Sequence, residues 1–167
     1  PGEGTSLRVL STGEIVATGH RRVSFSEIYL EIIKSTDAGT SWSLVHTSGV
    51  AGSQGREEGV KVLELLNNEV LLLGFRYLDD QVKVFKSTDA GDNWGASSII
   101  TYYDHLYTNV EDYAEDSLGN LFTTGWLYNV EPSNPQEPYA VMKSSDNGTS
   151  WSVADYNYQV GVDHSSS

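Results

Sequence analysis

The segment Lys34-Ser-Thr-Asp-Ala-Gly-Thr-Ser-Trp42 decides the fold, because it occurs three times in 167 residues. Lys86-Ser-Thr-Asp-Ala-Gly-Asp-Asn-Trp94 and Lys143-Ser-Ser-Asp-Asn-Gly-Thr-Ser-Trp151 repeat it, and the three aspartates are 52 and 57 residues apart. A second element, found at residues 13–19, 68–74 and 119–125, precedes each copy and ends in glycine. Three copies of two linked motifs predict a repeat architecture.

Each repeat has the pattern of four short β-strands. The predicted first strands are Ser6–Leu10, Val60–Leu66 and Asp112–Glu115, and the second strands are apolar runs that close at Gly19, Gly74 and Gly125. The predicted third strands are Glu27–Lys34, Val82–Lys86 and Tyr139–Lys143, and each fourth strand begins at the tryptophan. No ten-residue window shows a capped 3.6-residue period, so we expect an all-β chain with almost no helix.

The repeated Ser-x-Asp-x-Gly-x-x-Trp pattern has the chemistry of a tight turn. A short acidic side chain accepts hydrogen bonds from backbone N–H groups further along the turn. Glycine two residues later permits a positive φ at little cost. Tryptophan then packs the end of the hairpin onto the sheet, which stabilises it by about 2–3 kcal/mol.

These segments resemble the Asp-box, or bacterial neuraminidase repeat, family, which includes sialidases. The resemblance covers essentially the whole chain and implies a β-propeller, with each box on the turn between the third and fourth strands of a blade. The residues that match the box are Ser35, Asp37, Gly39, Trp42, Ser87, Asp89, Gly91, Trp94, Ser144, Asp146, Gly148 and Trp151. We expect structural roles for them, because equivalent carboxylates spread around a ring cannot converge on one catalytic or calcium site.

Three blades are expected, at residues 1–52, 53–107 and 108–167, within one propeller segment. Closed propellers typically have about four to eight blades. We expect either that two copies associate into a six-bladed ring, which is the favoured interpretation, or that flanking blades of a longer protein complete it. An isolated arc would expose the apolar faces of its end sheets.

Loop lengths indicate which end of the sheets varies. The interval from the glycine of the second strand to the following Asp of the repeat is 18, 15 and 21 residues. The predicted loops 20–26, 75–81 and 126–138, with the inter-blade loops 46–59, 99–111 and 155 onward, therefore form a face opposite the boxes. Repeat proteins concentrate such variation on their binding face.

Arginine and aromatic residues are concentrated on this face. The candidate ligand-binding residues are Arg21, Arg22, Arg56, Arg76, Tyr102, Tyr103, Tyr107, Trp126 and Tyr128. Arginine binds carboxylates through two parallel hydrogen bonds, and aromatic faces stack on sugar rings, so we expect a glycan with an acidic group. Two alternatives remain: the arginines pair with neighbouring acids at the surface, and the tyrosines pack between blades.

The resemblance to sialidases weakens at the catalytic positions. Alignment on Gly13 places the first arginine of the family's substrate-binding triad at Glu3, and only Arg21 or Arg22 matches the arginine that follows the second strand. The general-acid aspartate has no match. Tyr113 lies between Glu111 and Glu115 and is the candidate for the family's tyrosine nucleophile. We expect no catalysis by this chain alone.

Composition excludes several classes of partner. The chain has 10 Lys and Arg against 23 Asp and Glu, a net charge of −13, which argues against nucleic acid and anionic membrane surfaces. No apolar stretch approaches the roughly 18 residues that membrane insertion needs. There is no cysteine, and the four histidines lack metal-ligand spacing, so neither a metal nor another cofactor is expected.

The sequence thus favours a non-enzymatic binding or structural module, secreted or displayed on a cell or virion surface, with carbohydrate as the favoured ligand. Its partners would be a second copy or flanking blades. One alternative is a sialidase-like glycoside hydrolase fragment whose remaining catalytic residues lie in missing blades or a second subunit. Another alternative is a scaffold for protein–protein assembly.

Overall fold

The computed structural model of the chain describes residues 2–24, 27–48, 57–76, 81–102, 105–128 and 139–156. The side chains of residues 57, 58, 76, 81, 101, 102, 105–109, 126–128 and 156 lie outside this description. Every element in these ranges is a β-strand or a turn. The described ranges accordingly hold no helix long and apolar enough to cross a membrane.

In the described ranges, twelve antiparallel strands form three blades, which confirms the all-β prediction. The first blade contains β1 (Gly2–Val9), β2 (Ile15–Arg22), β3 (Ile28–Ser35) and β4 (Ser43–Ser48). The second contains β5 (Glu57–Glu64), β6 (Val70–Arg76), β7 (Gln81–Ser87) and β8 (Gly95–Tyr102). The third contains β9 (His105–Glu115), β10 (Leu121–Tyr128), β11 (Tyr139–Ser144) and β12 (Ser152–Tyr156). In each blade the four strands lie side by side in chain order.

The repeat extends to the irregularities of the strands. The register of the first strand skips one residue at the same repeat position in each blade, at Thr5, Val60 and Glu111. The fourth strands show the same skip at Val45, Ser97 and Ala154. A bulge bends the strand and increases its twist. The three blades therefore share one twisted shape.

Several segments predicted as loops are strands. β2, β6 and β10 continue two or three residues past the glycines that were expected to end them, to Arg22, Arg76 and Tyr128. The predicted inter-blade loop 99–111 is wrong: β8 and β9 pair directly, Tyr102 with His105, and join the second and third blades in one eight-stranded sheet. β-Branched and aromatic residues fill these segments, and such side chains fit a pleated surface.

The hydrophobic core lies between the blades. We call the face of a blade that points to the preceding blade its leading face, and the opposite face its trailing face. In β6, Val70 and Leu72 on the leading face pack in the cluster shared with the first blade. Leu71 and Leu73 on the trailing face pack in the cluster shared with the third blade. Both faces of this strand are buried, which explains its continuous apolar run.

Polar contacts link neighbouring blades at equivalent positions. The carboxylate of Glu64 accepts a hydrogen bond from the backbone N–H of Ser11 at 2.8 Å. One blade further on, Glu115 accepts one from the N–H of Leu66, also at 2.8 Å. Both bonds join a first strand to the β-turn of the preceding blade. They fix the spacing of successive blades at the end that carries these turns.

Candidate functional site

We call residues 35–42, 87–94 and 144–151 the three aspartate turns. In the first turn, the buried hydroxyl of Ser35 accepts from the N–H of Gly39 at 2.8 Å and donates to Asp37 at 2.8 Å. Asp37 also accepts from the N–H of Ser41, and the indole of Trp42 donates to the carbonyl of Gly39. The other two turns make the same set of bonds. Each turn is therefore held by its own side chains.

Hydrogen bonds keep the three aspartates ionised. The hydroxyl and N–H of Ser41, with the hydroxyl of Ser35, lower the pKa of Asp37 to about 2. The side chain and N–H of Asn93 lower the pKa of Asp89 to about 2. Burial raises the pKa of Asp146, but bonds from Ser150 and Ser144 outweigh it and give a value of about 2. Because these carboxylates accept their hydrogen bonds from within their own turns, they stabilise the turns.

The ends of the sheets opposite the aspartate turns carry the predicted ligand-binding residues. Antiparallel order places the last residues of β2, β6, β8 and β10 at this end, which we call the loop end. The backbone of Arg21, Arg22, Arg76, Tyr102, Tyr107, Trp126 and Tyr128 lies there. Arg56 and Tyr103 lie outside the described residues, as do the side chains of the five candidates from Arg76 onward.

Arg21 contacts an acidic and an aromatic side chain of the neighbouring strand β3. Its Nε donates to the carboxylate of Glu31 at 2.5 Å, and its guanidinium lies 5.3 Å from the centre of the Tyr29 ring. The hydrogen bond from Arg21 to Glu31 raises the pKa of Arg21. One of the two alternatives drawn from the sequence, pairing with a neighbouring acid, describes this arginine. Its positive charge is balanced before any ligand arrives.

The strand register shows that two of the candidate arginines are equivalent in the first and second blades. Arg21 and Arg76 each lie two residues after the glycine paired with the first strand, at one repeat position. Arg21 pairs with Tyr29 across β2 and β3, and Trp126 pairs with Tyr139 across β10 and β11. Tyr29, Glu31 and Tyr139 cannot be recognised from the sequence as neighbours of the candidates, because the strand register decides which side chains lie together.

A cavity of about 230 Å³ lies beside Glu31, the partner of Arg21, on the leading face of the first blade. Its lining includes Glu3, Ala17, His20, Glu31 and Ile33. Glu31 in this lining is paired with Arg21, so the carboxylate of Glu3 is the group that would repel a bound anion here.

Tyr113 is not placed as a nucleophile. Its side chain is 7% exposed, between the second and third blades, and its hydroxyl donates to the carbonyl of Leu71 at 3.0 Å. Burial raises the pKa of this phenol well above its ordinary value. A buried, protonated hydroxyl facing a backbone carbonyl cannot attack a sugar. Among the described residues, no cluster of His, Asp and Glu could hold a metal ion.

No family model matches the sequence, and no curated protein matches it. Solved structures do. The GH93 α-L-arabinofuranosidase of Fusarium graminearum, solved with arabinobiose, superposes with a TM-score of 0.66 at 15% identity, over 88% of this chain and 46% of that one. For a Hadza microbial sialidase the TM-score is 0.64 at 14% identity, over 93% and 37%. Both are β-propeller glycosidases.

The chain is built of β-propeller blades. The exo-β-1,3-galactanase of Phanerochaete chrysosporium extends the likeness, with a TM-score of 0.61 at 15% identity, over 92% of this chain and 36% of that enzyme. The chain thus spans less than half the length of these propellers. At such identities the likeness establishes the fold and leaves the activity to be argued from the site.

Proposed function

We propose that the chain is a carbohydrate-binding segment of an Asp-box propeller, acting outside the cell or on a cell or virion surface, without hydrolysing its ligand. The loop end carries the proposal. There one repeat position holds Arg21 and Arg76, and Tyr29 lies beneath the guanidinium of Arg21. Arginine over an aromatic ring offers fixed donors beside an apolar face, and a sugar ring presents hydroxyls and C–H groups that complement both.

The assignment to the Asp-box family is supported by the three aspartate turns, which share one hydrogen-bond pattern. Absence of catalysis is supported by the burial of Tyr113 and by the occurrence of Glu3 where sialidases have an arginine. The balance of charge at Arg21 and Glu31 favours a neutral glycan at the first blade over the acidic glycan that the arginines alone indicate.

A glycan array that holds both neutral and sialylated oligosaccharides tests the proposal. We expect Arg21→Ala to weaken binding by about ten- to a hundredfold, since a charge-assisted hydrogen bond contributes about 1.5–3 kcal/mol. Arg8→Ala is the matched control: Arg8 is exposed on β1 near the opposite end of the same blade. Equal binding by both variants would remove Arg21 from the site, and an array without any bound glycan would contradict the proposal.

A second candidate is a glycoside hydrolase segment whose remaining catalytic residues lie in other blades or a second subunit. The observation that favours it is that the named structural neighbours are an arabinofuranosidase, a sialidase and a galactanase. Fluorogenic α-L-arabinofuranoside, sialoside and β-galactoside substrates separate the two candidates. Turnover that is lost in Arg21→Ala and kept in Arg8→Ala would establish the second.

A further inference from the structure

The leading face of the first blade carries a row of apolar side chains that is exposed at its two outer strands and half-buried between them. Leu7, Ala17, Ile33 and Leu44 are direct partners across β1, β2, β3 and β4, so their side chains share one face. Leu7 and Leu44 are each 58% exposed, and Trp42 of the adjoining aspartate turn is 39% exposed. Exposed rows of this kind on a sheet indicate an interaction surface.

The same repeat positions are buried in the other two blades. Val62 and Tyr113, which are equivalent to Leu7, are 4% and 7% exposed. Trp94 and Trp151, which are equivalent to Trp42, pack against the two inter-blade cores. In both cases the trailing face of the preceding blade covers them. The structure itself therefore shows what kind of surface covers a leading face.

Among the described residues, the trailing face of the third blade, which includes Phe122, Val141 and Tyr139, packs on no further blade. Tyr139 is 49% exposed, and the ammonium of Lys143 lies 5.5 Å from the centre of the Phe122 ring. Val16 and Leu71, which are equivalent to Phe122, are 0% and 1% exposed beneath the next blade. The two ends of the arc thus carry the two halves of the interface that occurs twice inside it.

We propose that a second copy of the chain covers both ends, with the trailing face of each third blade packed on the leading face of the other first blade. A two-fold axis produces both contacts at once and closes the ring. The complementarity of the two faces supports this, because they are the two halves of an interface that the chain already forms between its own blades. The two faces that pack in each contact differ, so either one can be changed separately.

Light scattering across a dilution series tests the pairing. We expect a mass of twice 18.3 kDa for the 167-residue chain. Leu7→Glu on the leading face and Tyr139→Glu on the trailing face should each give a monomer, because both bury a charge against apolar side chains. Ile99→Glu is the matched control, since Ile99 is exposed on β8 of the middle blade. Leu44→Glu replaces Leu7→Glu if circular dichroism shows that the latter is unfolded.

Salt provides an independent check. Each copy carries a net charge of −13, so repulsion opposes pairing and the dimer should strengthen between low and physiological ionic strength. A wild-type chain that is monomeric at every concentration and ionic strength would overturn the proposal. The leading face of the first blade would then be covered by a blade of another protein. Open-ended polymers, or dimers that persist in Leu7→Glu, Leu44→Glu and Tyr139→Glu, would also overturn it.

Discussion

The hydroxyl of Tyr113 in the third blade donates to the backbone carbonyl of Leu71 in the second blade at 3.0 Å, inside the apolar interface between them. A buried hydroxyl needs a partner, and here the partner belongs to the neighbouring blade. The bond places a residue that the sequence offers as a nucleophile among the contacts that hold the arc together.

Tyr113→Phe should therefore affect stability and leave any activity unchanged. Removing the hydroxyl deprives one inter-blade carbonyl of a donor, which should lower the free energy of unfolding by about 1 kcal/mol. Urea titration measures this, and Tyr29→Phe in the first blade is the control. Unchanged stability together with loss of a glycosidase activity would show that the tyrosine acts on substrate.

Two glycines of identical backbone conformation separate turn strain from inter-blade packing. Gly39 and Gly91 both have φ of +87°, so alanine is strained at either position. A Cβ at Gly91 would lie 2.9 Å from Val16 of the first blade, whereas a Cβ at Gly39 would have no neighbour closer than 3.8 Å. We expect Gly39→Ala to lower the free energy of unfolding by about 1 kcal/mol, because of the strained turn alone. Gly91→Ala should lower it by about 1–3 kcal/mol more, because its Cβ also meets Val16.

The comparison is best made by urea titration in the Tyr139→Glu background, in which the proposed dimer is absent. Equal costs would mean that the second turn does not pack on the first blade. In the wild-type background Gly39→Ala should also weaken dimerisation. In the proposed dimer, the partner copy packs on the turn that contains Gly39 in the way that the first blade, through Val16, packs on the turn that contains Gly91.

Acid should destabilise the aspartate turns within a defined range. The pKa values of Asp37, Asp89 and Asp146 are about 2 in the folded chain, below the ordinary value of 3.8. The unfolded chain therefore binds more protons in this range, so stability is fully present above about pH 4 and falls as the pH approaches 2. Urea midpoints from pH 6 to pH 2 measure this loss.

An Asp37→Asn, Asp89→Asn variant should show a shallower fall over the same range, because two of the three shifted groups no longer titrate. It should also be less stable at pH 6, since a neutral amide accepts the bonds of the turn more weakly. An unaltered pH dependence would show that other carboxylates control acid unfolding.

Lys34 is buried between the first two blades and is held by two carboxylates. Its Nζ lies 3.1 Å from Glu14 of its own blade and 2.7 Å from Asp92 in the next aspartate turn. Asp92→Asn alone should cost less than about 1 kcal/mol, because Asp92 is largely exposed and Glu14 remains. The double variant Glu14→Gln, Asp92→Asn leaves the buried ammonium of Lys34 without a carboxylate. It should lower the free energy of unfolding by about 2 kcal/mol more than the two single variants do together.

A double-mutant cycle in urea measures that coupling. Lys34→Met provides the control, since it keeps the apolar stem and removes the charge that the acids compensate. Additive costs would indicate that the two carboxylates act independently and that the ammonium reaches solvent.

Periodicity and turn chemistry were enough to predict the blades. Gly39, Gly91 and Gly148 and their neighbours specify turns locally, so strand order follows once the repeat is seen. The pairing of β8 with β9 was missed, because it depends on which edge strands meet in space. The burial of Tyr113 is not predictable for the same reason, since it depends on whether its face of β9 meets a neighbouring blade or solvent.

At the loop end, residue types can be read from the sequence, but the neighbours of each side chain cannot. The sequence predicts Arg21 as a ligand contact, whereas its contacts with Glu31 and Tyr29 depend on the register of β2 against β3. Charge balance at a site is a property of such neighbours. Composition alone therefore indicates an acidic ligand, whereas the pairing of Arg21 with Glu31 leads us to propose a neutral one.

The direct pairing of β8 with β9 has a consequence for how the chain opens. A backbone ladder runs without interruption through the second and third blades, whereas the described strands of the first blade form a separate sheet. Backbone pairing couples neighbouring segments into cooperative units of unfolding, and side-chain contacts couple them less tightly. Native-state hydrogen exchange should therefore show the amides of β2 and β3 opening at a lower free energy than those of β6 and β10.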